Sequence, residues 1–267
     1  MIRLFKELKR ENFSHVYDAH SNLRSHILCG LLRLFQFRIQ FVRRSKERFK
    51  RFLLFQLRLN YFPKPFKGAE SYLQPIRHWL SPQSDLKLNE PPNENMFNFP
   101  VLRKKYEHST PSVLLAPSAT WELKRWPTEN WKKLIALNPN TQFTIVGGPK
   151  DDFCSEIKNQ SPDRVQNLAG QISWLETVKL VHDSQVVISG DTGVLHIADL
   201  LGKPCIALIG PTAFGYPSRK TSKVVEENLS CKPCTKDGRG RCRNTTYKMC
   251  MLSIAPERVS QELAKMF

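Results

Sequence analysis

The chain has 267 residues, of which 40% are hydrophobic, and its formal net charge is +17. This composition is typical of a globular protein and excludes a wholly disordered chain. No apolar run approaches the ~20 residues that span a bilayer. The charged start, Met1–Arg10, lacks the apolar core of a signal peptide. We therefore expect a cytoplasmic protein.

Most of the net positive charge lies in the first quarter of the chain. Residues 1–67 contain 16 Lys and Arg against 4 Asp and Glu. The electrostatic field of this excess positive charge favours an anionic partner. Such a partner could be a nucleic acid, an acidic membrane surface or a phosphorylated substrate. The alternative is a basic face that is simply solvated.

The spacing of apolar residues predicts the first elements. Residues 3–11 are predicted to form an amphipathic helix, His15–Asp18 a short strand, and residues 22–35 a second helix. Residues 36–62 mix Arg and Lys with Phe and Leu, and are predicted to form one or two helices with a basic exposed side. We expect their aromatic residues to lie in the core, with contact to a membrane surface as the alternative.

The pattern changes after residues 81–100, where four prolines indicate a linker. Predicted strands then cover 113–116, 141–146, 165–168, 186–189 and 204–209. Predicted helices alternate with them, and Ser173 and Glu176 are spaced as a capping box. This alternation predicts a parallel sheet with helices on both faces.

Polar residues follow the predicted strands at their carboxyl ends, where open α/β sheets bind ligands. Thr192 and Gly193 open a helix whose amide groups favour an anion. Ser118 and Thr120 supply hydroxyl groups and Lys124 a positive charge. Together these groups indicate a diphosphate.

Acidic residues and a histidine complete this edge. Asp151 and Asp152 could accept hydrogen bonds from ribose hydroxyls. Taken singly, Asp191 could be only a helix cap and His196 only a core histidine. Their position within an ordered set of motifs favours a binding role.

Four of the seven cysteines lie close together in the sequence: Cys231, Cys234, Cys242 and Cys250. One Cys-x₂-Cys pair is compatible with a small zinc knuckle, but the second pair lacks the usual short spacing. The alternative is a set of reduced cysteines that pack an irregular loop. Neighbouring Lys and Arg residues are expected to lower the thiol pKa values.

These motifs together resemble one family. The segments concerned are Ser118-Ala-Thr120, Lys124-Arg-Trp-Pro127, Gly147-Gly-Pro149, Leu168-Ala-Gly170, Ser189-Gly-Asp-Thr-Gly-Val-Leu-His196, Gly210-Pro-Thr212 and the cysteine-containing tail. They look like the ADP-heptose:lipopolysaccharide heptosyltransferases, glycosyltransferase family 9, over residues 112–259. A weaker likeness covers Tyr17–Ser25.

The resemblance implies an α/β fold of the GT-B type with two Rossmann-like domains. The predicted boundaries are 1–95 for an acceptor-side domain, 96–111 for a linker and 112–267 for a nucleotide-sugar-binding domain. The implied reaction is inverting transfer of a heptose from an ADP-sugar to a lipopolysaccharide core acceptor, with no metal or other cofactor. The implied acceptor is an anionic glycolipid at the inner face of the cytoplasmic membrane, with peripheral membrane contact and no nucleic acid.

The resemblance also implies roles by position. Seven residues would contact the diphosphate or line the phosphate and sugar side of the donor site: Ser118, Thr120, Lys124, Asp191, Thr192, Gly193 and His196. Either Asp151 or Asp152 would hold the ribose.

The start of the chain departs from the family pattern. Family members normally begin with a strand and a glycine-containing loop that carries the aspartate assigned as general base. Here Met1 falls on a helix before the Asp18 strand, so we expect an incomplete N-terminal domain. Asp18 and His20 are the nearest substitutes for the base.

Several functional interpretations stay open. The chain could have a truncated start, could be a catalytically impaired protein that still binds an ADP-sugar, or could be an active enzyme with a rearranged site. A basic nucleic-acid-binding protein is the less favoured alternative, because the ordered phosphate-site residues have no role there.

Overall fold

Parallel strands covered by helices occur in both parts of the chain. The computed structural model describes residues 1–79 and 112–267. It divides into a first unit, Met1–Pro63 with the segment from Gly68, and a second unit, Lys64–Lys67 with residues 112–267. Both the proline-rich stretch 81–100 and the predicted linker 96–111 lie outside the described residues.

The first unit alternates helices and strands. Its elements are α1 (Ile2–Arg10), β1 (His15–Asp18), α2 (Leu23–Phe35), β2 (Gln40–Arg43), α3 (Arg48–Gln56), α4 (Gly68–Leu73) and a 3₁₀ helix (Gln74–Trp79). β1 and β2 pair in parallel, with Asp18 opposite Arg43. The three predicted elements α1, β1 and α2 are confirmed.

Residues 36–62 differ from the predicted one or two helices, because strand β2 precedes α3. This strand exists through its pairing with β1, which a local pattern does not reveal. The predicted core placement is wrong for Phe49 and Phe52, which are 72% and 55% exposed, whereas Leu54 is buried. Within the described residues, no helix combines the length and apolar character needed to cross a membrane.

The second unit contains a longer alternation. Its strands are β3 (Ser112–Ala116), β4 (Gln142–Ile145), β5 (Val165–Asn167), β6 (Val186–Gly190), β7 (Cys205–Ile209) and β8 (Ser222–Glu226). Its helices are a 3₁₀ helix (Glu122–Lys124), α5 (Thr128–Leu137), α6 (Phe153–Asn159), α7 (Trp174–Asp183), α8 (Gly193–Leu200), α9 (Met249–Leu252) and α10 (Pro256–Ala264). The five predicted strands are confirmed, and β8 was not predicted.

These strands form one parallel sheet in the order β5-β4-β3-β6-β7-β8. The strand order reverses between β3 and β6, which is the switch point where such sheets bind ligands. Successive strand residues point to opposite faces, so Leu115 and Ile188 pack with one set of helices and Leu114 and Val187 with the other. The predicted parallel sheet with two covered faces is therefore confirmed.

The capping box predicted at the start of α7 is also present. Ser173 Oγ accepts a hydrogen bond from Glu176 N, and Glu176 Oε2 accepts one from Ser173 N at 2.7 Å. This reciprocal arrangement satisfies two amide groups of the first turn. It fixes the start of α7, which follows the carboxyl end of β5 in the chain.

Candidate functional site

The switch point brings together the segments that follow β3 and β6. Lys124, in the 3₁₀ helix after β3, donates from Nζ to the carbonyl oxygen of Asp191 at 2.5 Å. Its Nζ also lies 3.6 Å from Asp191 Oδ2. Both side chains are 13% exposed. A charged pair thus ties the two segments together at the edge where a ligand is expected.

Asp191 makes a second polar contact, with a residue of its own segment. His196 Nε2, in the first half of α8, lies 3.3 Å from Asp191 Oδ1. Burial raises the pKa of the Asp191 carboxyl, but the His196 hydrogen bond, the Lys124 charge and Thr212 together hold it below its ordinary value. The carboxylate therefore stays ionised and offsets the charge of Lys124.

The start of α8 lies beside this pair. Its N-cap residue, Thr192, does not cap the helix with its own side chain, whose hydroxyl instead pairs with Ser189 Oγ at 2.8 Å. Gly193 is exposed, and a Cβ there would lie 3.1 Å from the Trp174 ring. The amide groups and dipole of a helix start favour an anion. Next to Lys124, this helix start is suited to a phosphate group.

A second cluster joins the segments after β3 and β4. Ser118 Oγ donates to Asp151 Oδ2 at 2.5 Å, and Gly148 N donates to the same oxygen at 2.7 Å. Arg125 Nη2 lies 3.4 Å from Asp151 Oδ1. The Asp151 side chain is only 9% exposed, so its oxygens already serve to fasten these segments. Asp152, at the start of α6, is exposed.

The structure thus gathers most of the predicted donor-site residues at one sheet edge. Asp191 contacts both Lys124 and His196. Thr192 and Gly193 follow Asp191 directly in the chain. Ser118 and Asp151 form the neighbouring cluster, linked to the first through the segment after β3. Thr120 and Asp152 are exposed.

Two residues that shape the site were not predicted. A Cβ at Gly215 would lie 2.1 Å from Asp191 Cγ, so the main chain at Gly215 packs directly on the carboxylate. Asp199 holds the segment that contains Gly215, because its oxygens accept from Ser218 N at 2.7 Å and Arg219 N at 2.9 Å. Neither residue belongs to a local motif, so no sequence signal identifies them.

None of the four clustered cysteines, all of which lie in the described residues, forms a disulfide bond. Burial and the neighbouring Cys231 raise the pKa of the Cys234 thiol, and burial raises the pKa of Cys250 to about 11 in spite of the nearby Lys232. The predicted lowering by Lys and Arg is therefore wrong for these two thiols, because burial outweighs the positive charges. In the described part of the chain, no group of three or more His, Cys, Asp or Glu residues is arranged to hold a metal ion.

The two candidates for the catalytic base lie in the first unit. Asp18 is buried and accepts from Ser21 N at 2.7 Å, Ser25 Oγ at 3.0 Å and Arg43 Nε at 2.9 Å. Burial raises the pKa of Asp18, but these three donors hold it below its ordinary value. A carboxylate held in this way is a poor base, and its contacts fasten β1 to α2 and β2. His20, in the turn after β1, is exposed.

Comparison with known proteins agrees with this architecture. The family model described as glycosyltransferase family 9 (heptosyltransferase) matches residues 1–244. The chain belongs to glycosyltransferase family 9. Because the match begins at residue 1, it includes the first unit as well as most of the second.

Individual heptosyltransferases are similar to this chain in sequence. A lipooligosaccharide heptosyltransferase 2 of Haemophilus ducreyi is 31% identical over 163 residues, which cover 57% of this chain and 47% of that protein. A lipooligosaccharide heptosyltransferase 2 of Campylobacter jejuni is 27% identical over 207 residues, which cover 73% and 63%. The chain spans about half the length of several curated relatives it matches.

Solved structures of heptosyltransferases support the fold. The E. coli ADP-heptose lps heptosyltransferase II aligns with a TM-score of 0.66 at 20% identity, over 99% of this chain and 79% of that one. The E. coli heptosyltransferase WaaC with ADP aligns with a TM-score of 0.62 at 18% identity, over 100% and 78%. The predicted α/β fold of the GT-B type is therefore confirmed.

Proposed function

We propose that this chain transfers a heptose from an ADP-sugar to a lipopolysaccharide core acceptor. The observation that carries this proposal is the cluster of Lys124, Asp191 and His196 beside the start of α8, at the switch point of the parallel sheet. Family membership supports the same chemistry.

The diphosphate is the part of the donor that this site suits best. Lys124 Nζ exchanges its contact with the Asp191 carbonyl for a phosphate oxygen, and the start of α8 faces the same anion. Both groups stabilise the negative charge that develops on the departing ADP. This charge stabilisation makes a metal unnecessary for leaving-group departure. Thr120, on the same segment as Lys124, donates a further hydrogen bond to the diphosphate, whereas the single hydroxyl proton of Ser118 is already donated to Asp151.

Residues next to the diphosphate site bind the ribose and the transferred sugar of the donor. Asp152 is the better ribose ligand, because Asp151 already accepts from Ser118 and Gly148. The His196 ring is 48% exposed while Asp191 orients it, so it can hydrogen-bond a sugar hydroxyl. Inverting transfer requires a base for the acceptor hydroxyl, and His20 is the better of the two candidates because Asp18 already accepts hydrogen bonds from three donors.

The acceptor is an anionic glycolipid that meets the first unit. The 16 Lys and Arg in residues 1–67 attract phosphate and carboxylate groups and raise the rate of encounter. The same charge brings the protein to an acidic membrane surface, which is where such an acceptor lies. Nucleic acid is not the expected partner, because it would make no use of the Lys124 cluster.

Calorimetric titration with ADP tests the donor site. Replacing Lys124→Ala should weaken ADP binding roughly 10- to 100-fold, because a hydrogen bond to a charged group is lost. Lys220→Ala is the matched control: this lysine is exposed and precedes β8, at the opposite edge of the sheet. Folded protein that does not bind ADP, or equal affinities of the two variants, would overturn the donor site.

Turnover separates an enzyme from an impaired binding protein. Release of ADP from ADP-heptose in the presence of a lipopolysaccharide core acceptor is expected, and it should fall with His20→Ala. Binding of ADP without any acceptor-dependent release would replace the proposed activity with ADP-sugar binding alone.

A further inference from the structure

The cysteine-containing segment, Cys231–Cys250, lies against the end of β7. Backbone N of Cys234 and of Thr235 donate to the carbonyl oxygen of Pro211, at 2.9 and 3.2 Å. Thr235 also forms a β-bridge with Thr212. Cys234 is itself held by a hydrogen bond from its Sγ to the Cys231 carbonyl oxygen at 3.0 Å. The segment is therefore attached to the same sheet edge as the candidate site.

Gly238 in this segment packs on the side chain of Lys124. Its backbone φ is +93°, and its N donates to Thr235 Oγ1 at 2.7 Å. A Cβ at Gly238 would lie 2.6 Å from Lys124 Cγ, 2.9 Å from Lys124 Cδ and 3.1 Å from Trp121 Cβ. The main chain at Gly238 thus lies directly against the aliphatic part of Lys124. A side chain at position 238 would collide with that lysine.

Other residues of the segment contact the chain next to Lys124. The Arg239 guanidinium lies over the Trp121 ring, 4.8 Å from its centroid. Glu122 accepts from Tyr247 Oη at 3.2 Å and from Lys248 Nζ at 3.4 Å. Trp121 and Glu122, which precede Lys124 by three and two positions, are therefore both held by the cysteine-containing segment.

We propose that the turn at Gly238 and Arg239 is a positioning element of the donor site, which holds Lys124 in the direction needed to meet the diphosphate. A lysine has several rotatable bonds, and ordering such a side chain on binding weakens affinity by roughly 3- to 10-fold. A segment that orders Lys124 beforehand removes this cost. The inference rests on the proposed role of Lys124 and gives the cysteine-containing segment a function within the same site.

Gly238 and the nearby Gly240, which lies outside the contact with Lys124, allow a matched test. Gly238 and Gly240 both have a left-handed φ, +93° and +103°, so an alanine strains the backbone at either position. Only the Cβ at Gly238 would displace Lys124, since a Cβ at Gly240 meets nothing within 4 Å. Calorimetry should find ADP binding roughly 3- to 10-fold weaker in Gly238→Ala and unchanged in Gly240→Ala.

The effect must act through Lys124 if the inference holds. In a Lys124→Ala background, Gly238→Ala should have no further effect on ADP affinity, because no lysine is left to position. Equal effects of the two glycine variants, or an effect of Gly238→Ala that persists without Lys124, would overturn the positioning role. If Lys124→Ala alone leaves the affinity unchanged, the proposed donor site fails instead.

A second pair of variants decides the question should Gly238→Ala not fold. Thr235→Val keeps the shape of the side chain and removes the oxygen that accepts from Gly238 N, whereas Thr235→Ser keeps that oxygen. We expect weaker ADP binding with valine and near wild-type binding with serine. Equal affinities of these two variants, in proteins with matching circular dichroism spectra, would contradict the proposal.

Discussion

Asp191 has both a structural and an electrostatic function at the site. Its carboxylate contacts Lys124 and His196, and the main chain of Gly215 covers it. Charged pairs that are mostly buried add little net stability, but removal of one partner leaves the other charge uncompensated. The residue is therefore held in its ionised form by its contacts with Lys124 and His196, and under the proposed function the Lys124 contact places this lysine where a phosphate would bind.

The pH dependence of the free energy of unfolding should reveal whether Asp191 is stabilised in its ionised form. Burial raises the pKa of Asp191, but His196, Lys124 and Thr212 hold it below its ordinary value. Its stabilising contribution is then present above about pH 4, the unfolded-state pKa, and is lost as the pH falls through the lower folded-state pKa. Asp191→Asn should lower the free energy of unfolding by roughly 1–3 kcal/mol at neutral pH.

Urea unfolding of both proteins across this pH range provides the measurement. The difference between wild type and Asp191→Asn should shrink as the pH falls below about 4. The exposed Asp163 supplies the control, since Asp163→Asn should leave the wild-type profile unchanged. A difference that is independent of pH would show that the carboxylate is not stabilised in its ionised form.

At the scale of elements, Asp199 joins α8 to the segment between β7 and β8. It is buried on α8 and accepts from three donors, which are Ser218 N, Arg219 N and Ser222 Oγ. This segment carries Gly215, which covers Asp191. One buried carboxylate thus keeps β8 and the wall of the candidate site in place.

Removal of this carboxylate should destabilise the second unit. Asp199→Ala leaves two buried or partly buried amide groups and a hydroxyl without their acceptor, and should cost roughly 2–4 kcal/mol in the free energy of unfolding. Ser222→Ala removes only one of the three hydrogen bonds and should cost about 1 kcal/mol. Urea denaturation measures both. Equal losses in the two variants would mean that the backbone contacts of Asp199 contribute nothing.

At the scale of the whole molecule, positive charge and exposed apolar side chains coincide in the first unit. Residues 1–67 carry most of the net charge, and Phe49 and Phe52 of α3 are exposed among Arg and Lys residues. Aromatic side chains next to basic ones are typical of surfaces that bind the interface of an acidic membrane. The interpretation of these phenylalanines as core residues is wrong, and the alternative that we predict for them is contact with a membrane surface.

Vesicle sedimentation tests this surface. Binding to phosphatidylglycerol vesicles should exceed binding to phosphatidylcholine vesicles and should fall as salt is added. The double variant Phe49→Ser with Phe52→Ser should bind acidic vesicles more weakly. The control is Leu137→Ser with Leu252→Ser, which changes exposed leucines of the second unit. Binding that is equal on both lipids, or equal losses in the two double variants, would contradict a membrane role for α3.

Much of the fold follows from local sequence patterns. The run of buried strands from β3 to β7, the helices between them and the capping box at Ser173 were all predicted from the spacing of apolar and polar residues. Strand β2 was predicted as part of a helix and β8 was not predicted, because each depends on pairing with another strand. A short segment with mixed composition becomes a strand only when a partner edge is available.

The amino-acid sequence by itself determined the order of strands and helices from β3 to β7, and therefore the sheet edge where Lys124 and Asp191 meet. Only the tertiary structure decided that Asp151 and Asp18 are engaged in fastening segments, and that Gly238 lies on Lys124. The physical reason is that a periodic pattern records which face of an element is buried. The partner of an individual carboxylate or glycine depends instead on which residues, distant in the sequence, are brought next to it by the fold.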